Sequence, residues 1–135
     1  ESDNCMKRIL VIDDDLQMRQ MLRQTLEREG YEVIEAPDGK IGLRVFRQSP
    51  TDLVITDIIM PEKNGIKTII EITRDFPDVK IIAISGGNRG IDAQGCLSCL
   101  KVLRIERTFT KPFEPKELLE AIRELLEDAA VDLVS

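Results

Sequence analysis

Short apolar runs alternate with helical patterns five times along the chain. The runs are Ile9-Leu10-Val11-Ile12, Tyr31-Glu32-Val33-Ile34, Leu53-Val54-Ile55-Thr56, Val79 to Ile84, and Arg107 to Thr110. The first, third and fourth are almost wholly apolar, as expected of strands covered on both faces. Tyr31 to Ala36 alternates more and suits an edge. Between the runs, apolar side chains recur with a period near 3.6. Met18, Leu22 and Leu26 form one stripe, Ile41, Val45 and Phe46 a second, and Ile66, Ile69, Ile70 and Thr73 a third. Ala93, Cys96, Leu97, Leu100 and Leu103 follow, then Leu118, Leu119, Ile122, Leu125 and Leu126. Gly30 closes the first helix, and Pro61 with Asn64-Gly65 punctuates the third connection. Pro115 falls near the first turn of the last helix, where its missing N–H costs nothing.

Five such units predict an α/β sandwich: a doubly wound, five-stranded parallel sheet with helices on both faces. The 135 residues make one domain, with its core over about residues 6–128. The tail from Asp128 to Ser135 is expected to fray. The chain begins with Glu1 rather than Met, as expected of a trimmed or processed segment.

Composition narrows the function. Hydrophobic residues at 42% and charged ones at 33% fit a soluble globular chain rather than a disordered one. No apolar run approaches the roughly 18 to 20 residues of a membrane span, and no secretory signal opens the chain. The net charge of -6, with Lys and Arg scattered, argues against nucleic-acid binding by this segment. Three cysteines do not suggest a disulfide framework, so a cytoplasmic location is expected. The absence of histidine excludes a Ser-His-Asp triad, a Cys-His pair or a His-ligated zinc within the chain.

In doubly wound sheets the ligand site lies beyond the carboxyl ends of the strands. Asp13 and Asp14 end the first run, Asp57 the third, Ser85 the fourth and Lys111 the fifth. A single Asp at a strand end is usually a cap or turn former, and Asp15 is expected to be the N-cap of the first helix. Five such residues at four strand ends are another matter. Three carboxylates about 4 to 6 Å apart repel by a few kcal/mol per pair at an effective dielectric near 20. A divalent cation resolves this, and an all-oxygen site favours Mg²⁺, or Mn²⁺. Lys111 adds a compact cation, Ser85 a hydroxyl, and Gly86-Gly87 a backbone that can approach closely. Such a set suits phosphoryl transfer, with a carboxylate as covalent acceptor. Any phosphohistidine in that chemistry must come from another protein.

The chain resembles the response-regulator receiver domain, the phospho-accepting half of two-component signalling, over roughly residues 6–128. The resemblance is carried by Ile9 to Asp15, by Asp57-Ile58-Ile59-Met60-Pro61 running to Gly65, by Ile84-Ser85-Gly86, and by Lys111-Pro112-Phe113. It implies a flavodoxin-like fold with strand order 2-1-3-4-5. It also implies that Asp57 accepts a phosphoryl group from a sensor histidine kinase or a histidine phosphotransfer protein. Asp14 and Asp57 would ligate Mg²⁺ directly, Ile59 through its carbonyl, and Asp13 largely through water. Lys111 would pair with the phosphate, and Ser85 would bond a phosphate oxygen and swing inward on activation. Lys111-Pro112 is expected to be cis. Receivers pair through the face formed by helix four, strand five and helix five, so a dimer there is a further expectation. The domain would act as a signalling switch that assists its own charging and decay, not as a conventional enzyme.

Some residues depart from the family's pattern. Where receivers usually carry a rotating aromatic or His, this chain has Thr108, with Phe109 facing the other side of the strand as core. The usual Gly-Ala after helix four is Arg104-Ile105, which implies a short, shifted or mobile helix and a different output. Cys96 and Cys99 have C-x-x-C spacing, but the apolar stripe favours packing over metal or redox chemistry. Met21 and Phe113 are candidate contacts to the phosphodonor. Two other functions compete. A haloacid-dehalogenase-type phosphatase also uses Asp, Mg²⁺, Ser/Thr and Lys, but Gln17 and Lys111-Pro112-Phe113 stand where it wants other residues. A pseudo-receiver would bind partners unphosphorylated, against which the intact acidic set argues.

Overall fold

The computed structural model describes residues 7–57, 65–85, 105–110 and 113–134. Five strands, β1 (Arg8–Ile12), β2 (Glu32–Ala36), β3 (Leu53–Asp57), β4 (Lys80–Ser85) and β5 (Arg107–Thr110), form one sheet. Every pairing is parallel, in the order β2-β1-β3-β4-β5. Chain order reverses at β1, which pairs with both β2 and β3, so the rim between β1 and β3 is where a ligand is expected. The helices are α1 (Leu16–Arg28), α2 (Gly39–Gln48), α3 (Gly65–Asp75) and a C-terminal helix (Pro115–Val134).

Side-chain alternation divides the core into two layers. Ile9, Val11, Leu53, Ile55, Ile82 and Ile84 pack with Leu22 and Leu26 of α1 and with Leu118, Ile122 and Leu126 of the C-terminal helix. Leu10, Ile12, Val54, Ile81 and Ala83 pack on the other face with Leu43 and Phe46 of α2 and Ile69 and Ile72 of α3. Both layers are built of apolar side chains, and each fully buried Leu or Ile contributes about 1.5–3 kcal/mol. On edge strand β2, Val33 joins the α1 layer and Ala36 the α2 layer.

The helix ends follow from their residues. Asp15 caps α1 by accepting from the N–H groups of Gln17 and Met18. Gly30, at φ 97°, ends that helix: its N–H donates to Glu27 O, and Tyr31 N–H reaches back to Leu26 O. Those two bonds make a Schellman stop, closed by packing of Tyr31 in the layer that holds Leu26. Asp38 caps α2 through the Ile41 N–H, and Pro115 is the first residue of its helix.

Three expectations need correction. Ile70 is 44% exposed rather than part of the α3 stripe, and Ile72 is buried in its place, because the apolar face runs through Ile69 and Ile72 at i, i+3. The second strand begins at Glu32, since Tyr31 belongs to the helix stop. The tail from Asp128 continues as helix to Val134, as its run of Ala, Leu and Val with only two Asp allows. The predicted helix over Ala93 to Leu103 lies outside the described residues.

Candidate functional site

The apolar runs of β1 and β3 end in carboxylates at the same rim of the sheet. Ile12 pairs with Thr56, so the residues that follow them, Asp13 and Asp57, come out side by side. Asp13 is 1% exposed and Asp57 5%, whereas Asp14 is exposed. One carboxylate oxygen from each of Asp13, Asp14 and Asp57 lies within 4.8 Å of the others. An all-oxygen donor set drawn from two adjacent strand ends suits a hard cation that keeps some of its waters. Without such a cation, the three charges would oppose one another.

Asp13 is held on several sides. Its N–H continues the ladder to Ala36 O at 3.2 Å, and its Oδ1 accepts the Asp15 N–H at 2.8 Å. Its carbonyl accepts from Arg19 Nη1 at 2.7 Å. Arg19 Nε donates to Glu35 Oε1 at 3.2 Å, and Arg23 Nη1 donates to Glu35 Oε2 at 2.9 Å. Arg23 in turn binds Glu27 at 3.0 Å, one turn along α1. The Arg23 guanidinium first, with Arg19 assisting, holds the Glu35 carboxyl below its ordinary range against the opposing effect of burial. Arg19 and Glu35 are absent from the residues singled out by sequence. Their link crosses from α1 to β2, and neither helical spacing nor strand alternation marks it. A Glu on the helix-covered face of an edge strand was the one available signal.

The remaining expected residues divide as follows. Ser85 is the last residue of β4 and pairs in register with Thr110, but its side chain lies outside the description. Ile59, Lys111, Pro112, Arg104, Cys96 and Cys99 also lie outside the described residues. Thr108 is exposed on β5. Phe109 packs partly buried on the α1 layer, 5.8 Å from the Phe113 ring, and Ile105 packs on the α2 layer. Met21 is partly buried in the α1 layer. No helix among the described residues is long and apolar enough to cross a membrane.

Comparison with known proteins agrees with this geometry. The family described as the response regulator receiver domain matches residues 9–123, so the chain belongs to that family of signalling switches. The chain is 35% identical to the chemotaxis protein CheY of Thermotoga maritima over 121 residues, covering 88% of this chain and 97% of that protein. It is 34% identical to the response regulator receiver protein CpdR of Brucella abortus, covering 90% and 98%. Other relatives are longer: the chain spans 49% of the response regulator GtcR of Aneurinibacillus migulanus, at 36% identity over 91% of this chain. Among solved structures, the response regulator TrrA of Thermotoga maritima, crystallised with Mg²⁺ and BeF, superposes with a TM-score of 0.77. That match has 35% identity and covers 89% of this chain and 99% of the other. Membership leaves the phosphatase alternative without support.

Proposed function

We propose that the chain is a phospho-accepting receiver in which Asp57 takes a phosphoryl group from a phosphohistidine, with Mg²⁺ held by Asp13, Asp14, Asp57 and the Ile59 carbonyl. The observation that carries this reading is the convergence of three carboxylates from β1 and β3, with Asp57 almost buried. The crystallisation of the similar TrrA with Mg²⁺ and BeF supports it by analogy. Because these 135 residues contain no histidine, the donor histidine lies outside them, on a sensor kinase or a phosphotransfer module.

Mg²⁺ bound there supplies positive charge against the carboxylates and the phosphoryl oxygens. An Asp57 carboxylate oxygen attacks phosphorus, the P–N bond to the donor imidazole breaks, and its electron pair stays on the imidazole nitrogen. Lys111 pairs with one phosphoryl oxygen, and the Ser85 hydroxyl donates to another. The acyl phosphate decays when water attacks phosphorus, which returns the Asp57 carboxylate and releases inorganic phosphate. Thr108 stands where the aromatic that usually reports the event would be, and Ser85 and Thr108 are the switch residues.

Incubation with Mg²⁺ and acetyl phosphate, followed by intact mass, tests the proposal. A one-phosphoryl adduct is expected on the wild type, and none without Mg²⁺ or in Asp57→Asn. An undiminished adduct in that variant would overturn the assignment.

A further inference from the structure

Asp14 is the exposed member of the carboxylate cluster, and it lies beyond the strand ladder. Asp13 is fixed at its N–H by the ladder bond to Ala36 O, which holds the preceding peptide and not the Asp13–Asp14 one. The plane of the Asp13–Asp14 peptide is set by where the Asp13 carbonyl points, because the peptide is rigid and planar. That carbonyl is gripped at 2.7 Å by Arg19 Nη1. The same guanidinium is steered from its other side by Glu35, 3.2 Å from Nε. The side chains of Arg19 and Glu35 are only 14% and 19% exposed, so this is a packed clamp and not a loose surface pair.

We propose that Arg19, clamped by Glu35, is the positioning residue that orients the Asp13–Asp14 peptide and so sets the affinity of the carboxylate cluster for Mg²⁺. The proposal rests on reading that cluster as the Mg²⁺ site. Charge alone points the opposite way. A bare guanidinium beside three carboxylates would oppose a cation, and its removal would tighten binding. Glu35 offsets that charge locally, which leaves the geometric effect to dominate. Partners behind a metal's ligands commonly govern affinity by orienting them.

The structure also contains a matched control. Arg23 makes an ion pair with the same Glu35 from one turn further along α1, so Arg23→Gln removes a Glu35 contact on the same helix. In Arg19→Gln, Glu35 keeps Arg23, so no carboxylate is stranded. Titration of the full chain with MgCl₂ by calorimetry gives the affinity, and urea melts give the stability of each variant.

Arg19→Gln should bind Mg²⁺ about tenfold more weakly. Arg23→Gln should stay within about twofold of the wild type, although both variants lose stability. Arg19→Lys, which keeps the charge but cannot make both contacts of the fork, should also bind weakly. The charge-balanced pair Arg19→Gln with Glu35→Gln should resemble Arg19→Gln. Affinity in Arg19→Gln equal to or tighter than the wild type would overturn the proposal, as would an equal loss in Arg23→Gln. Wild-type protein that fails to bind Mg²⁺ would instead remove the site itself, and the inference with it.

Discussion

Asp14 and Asp57 differ in what their surroundings ask of them. Asp57 ends a strand whose five residues are all buried, so its carboxylate has little water of its own. Asp14 is in solvent and can shed its share of the cluster's repulsion into water. Substituting Asp14 therefore separates binding from folding. Asp14→Asn should weaken Mg²⁺ binding at least about tenfold, because a charged oxygen ligand is lost. Without Mg²⁺ it should be more stable than the wild type by about 0.5–1 kcal/mol at low ionic strength, since its repulsion with both Asp13 and Asp57 is gone. Added salt should shrink that gain. Urea melts in metal-free buffer at two salt concentrations check this, and a less stable variant would mean that the three carboxylates do not repel in the folded chain.

At the scale of elements, α2 is seated tightly on β1 beside the site. A Cβ added at Gly42 would fall 2.4 Å from Ile12 Cδ1 and 2.8 Å from Ile12 Cγ1. Ile12 is 1% exposed and enclosed by its layer, so it cannot swing aside. Gly42→Ala should cost about 1–3 kcal/mol by overpacking, read as a lower midpoint in urea. Because Ile12 directly precedes Asp13, Mg²⁺ affinity should fall with it. Asp15→Ala makes a clean contrast: it removes the α1 cap, worth about 1 kcal/mol, but keeps the backbone N–H that serves Asp13. Its Mg²⁺ affinity should stay near the wild type's. The sequence made the strands and their ends legible, since runs such as Ile9 to Ile12 leave no doubt about period or burial. It made Asp13, Asp14 and Asp57 legible because a carboxylate after such a run has nowhere to go but the rim. Helix faces were less certain: with Ile66, Ile69, Ile70 and Ile72 all apolar, periodicity alone does not separate buried Ile72 from exposed Ile70. Gly42 gave no sign of its role, because close approach depends on how α2 meets β1. The Arg19–Glu35 clamp depends on how α1 crosses β2, which is likewise a tertiary fact.

For the molecule as a whole, the acidic balance of -6 makes stability depend on both cations and protons. Mg²⁺ at ten times its Kd should stabilise the fold by about 1.4 kcal/mol, since it binds the native cluster and not the unfolded chain. That is a rise of about 5 °C in Tm, which Asp57→Asn should largely lose. Protons act through other groups. The Glu35 carboxyl lies below its ordinary range chiefly because Arg23, and then Arg19, bond to its charged form. Asp75, exposed between α2 and α3, is lowered in the same direction by Arg47. A carboxyl lowered on folding binds protons less readily in the native chain than in the unfolded one. Its contribution is therefore fully present above the unfolded value, near 4.3 for Glu, and is lost as pH falls through the lower folded value. Glu35→Gln should be less stable than the wild type at pH 7. The two should converge as the pH falls through that lowered folded value, because the wild type is then protonated as well. Urea midpoints for both proteins from pH 7 down to pH 3, in metal-free buffer, measure the gap directly. A gap that stays constant across that range would mean that the ion pairs of Glu35 add nothing as charges and that the side chain acts only by its shape.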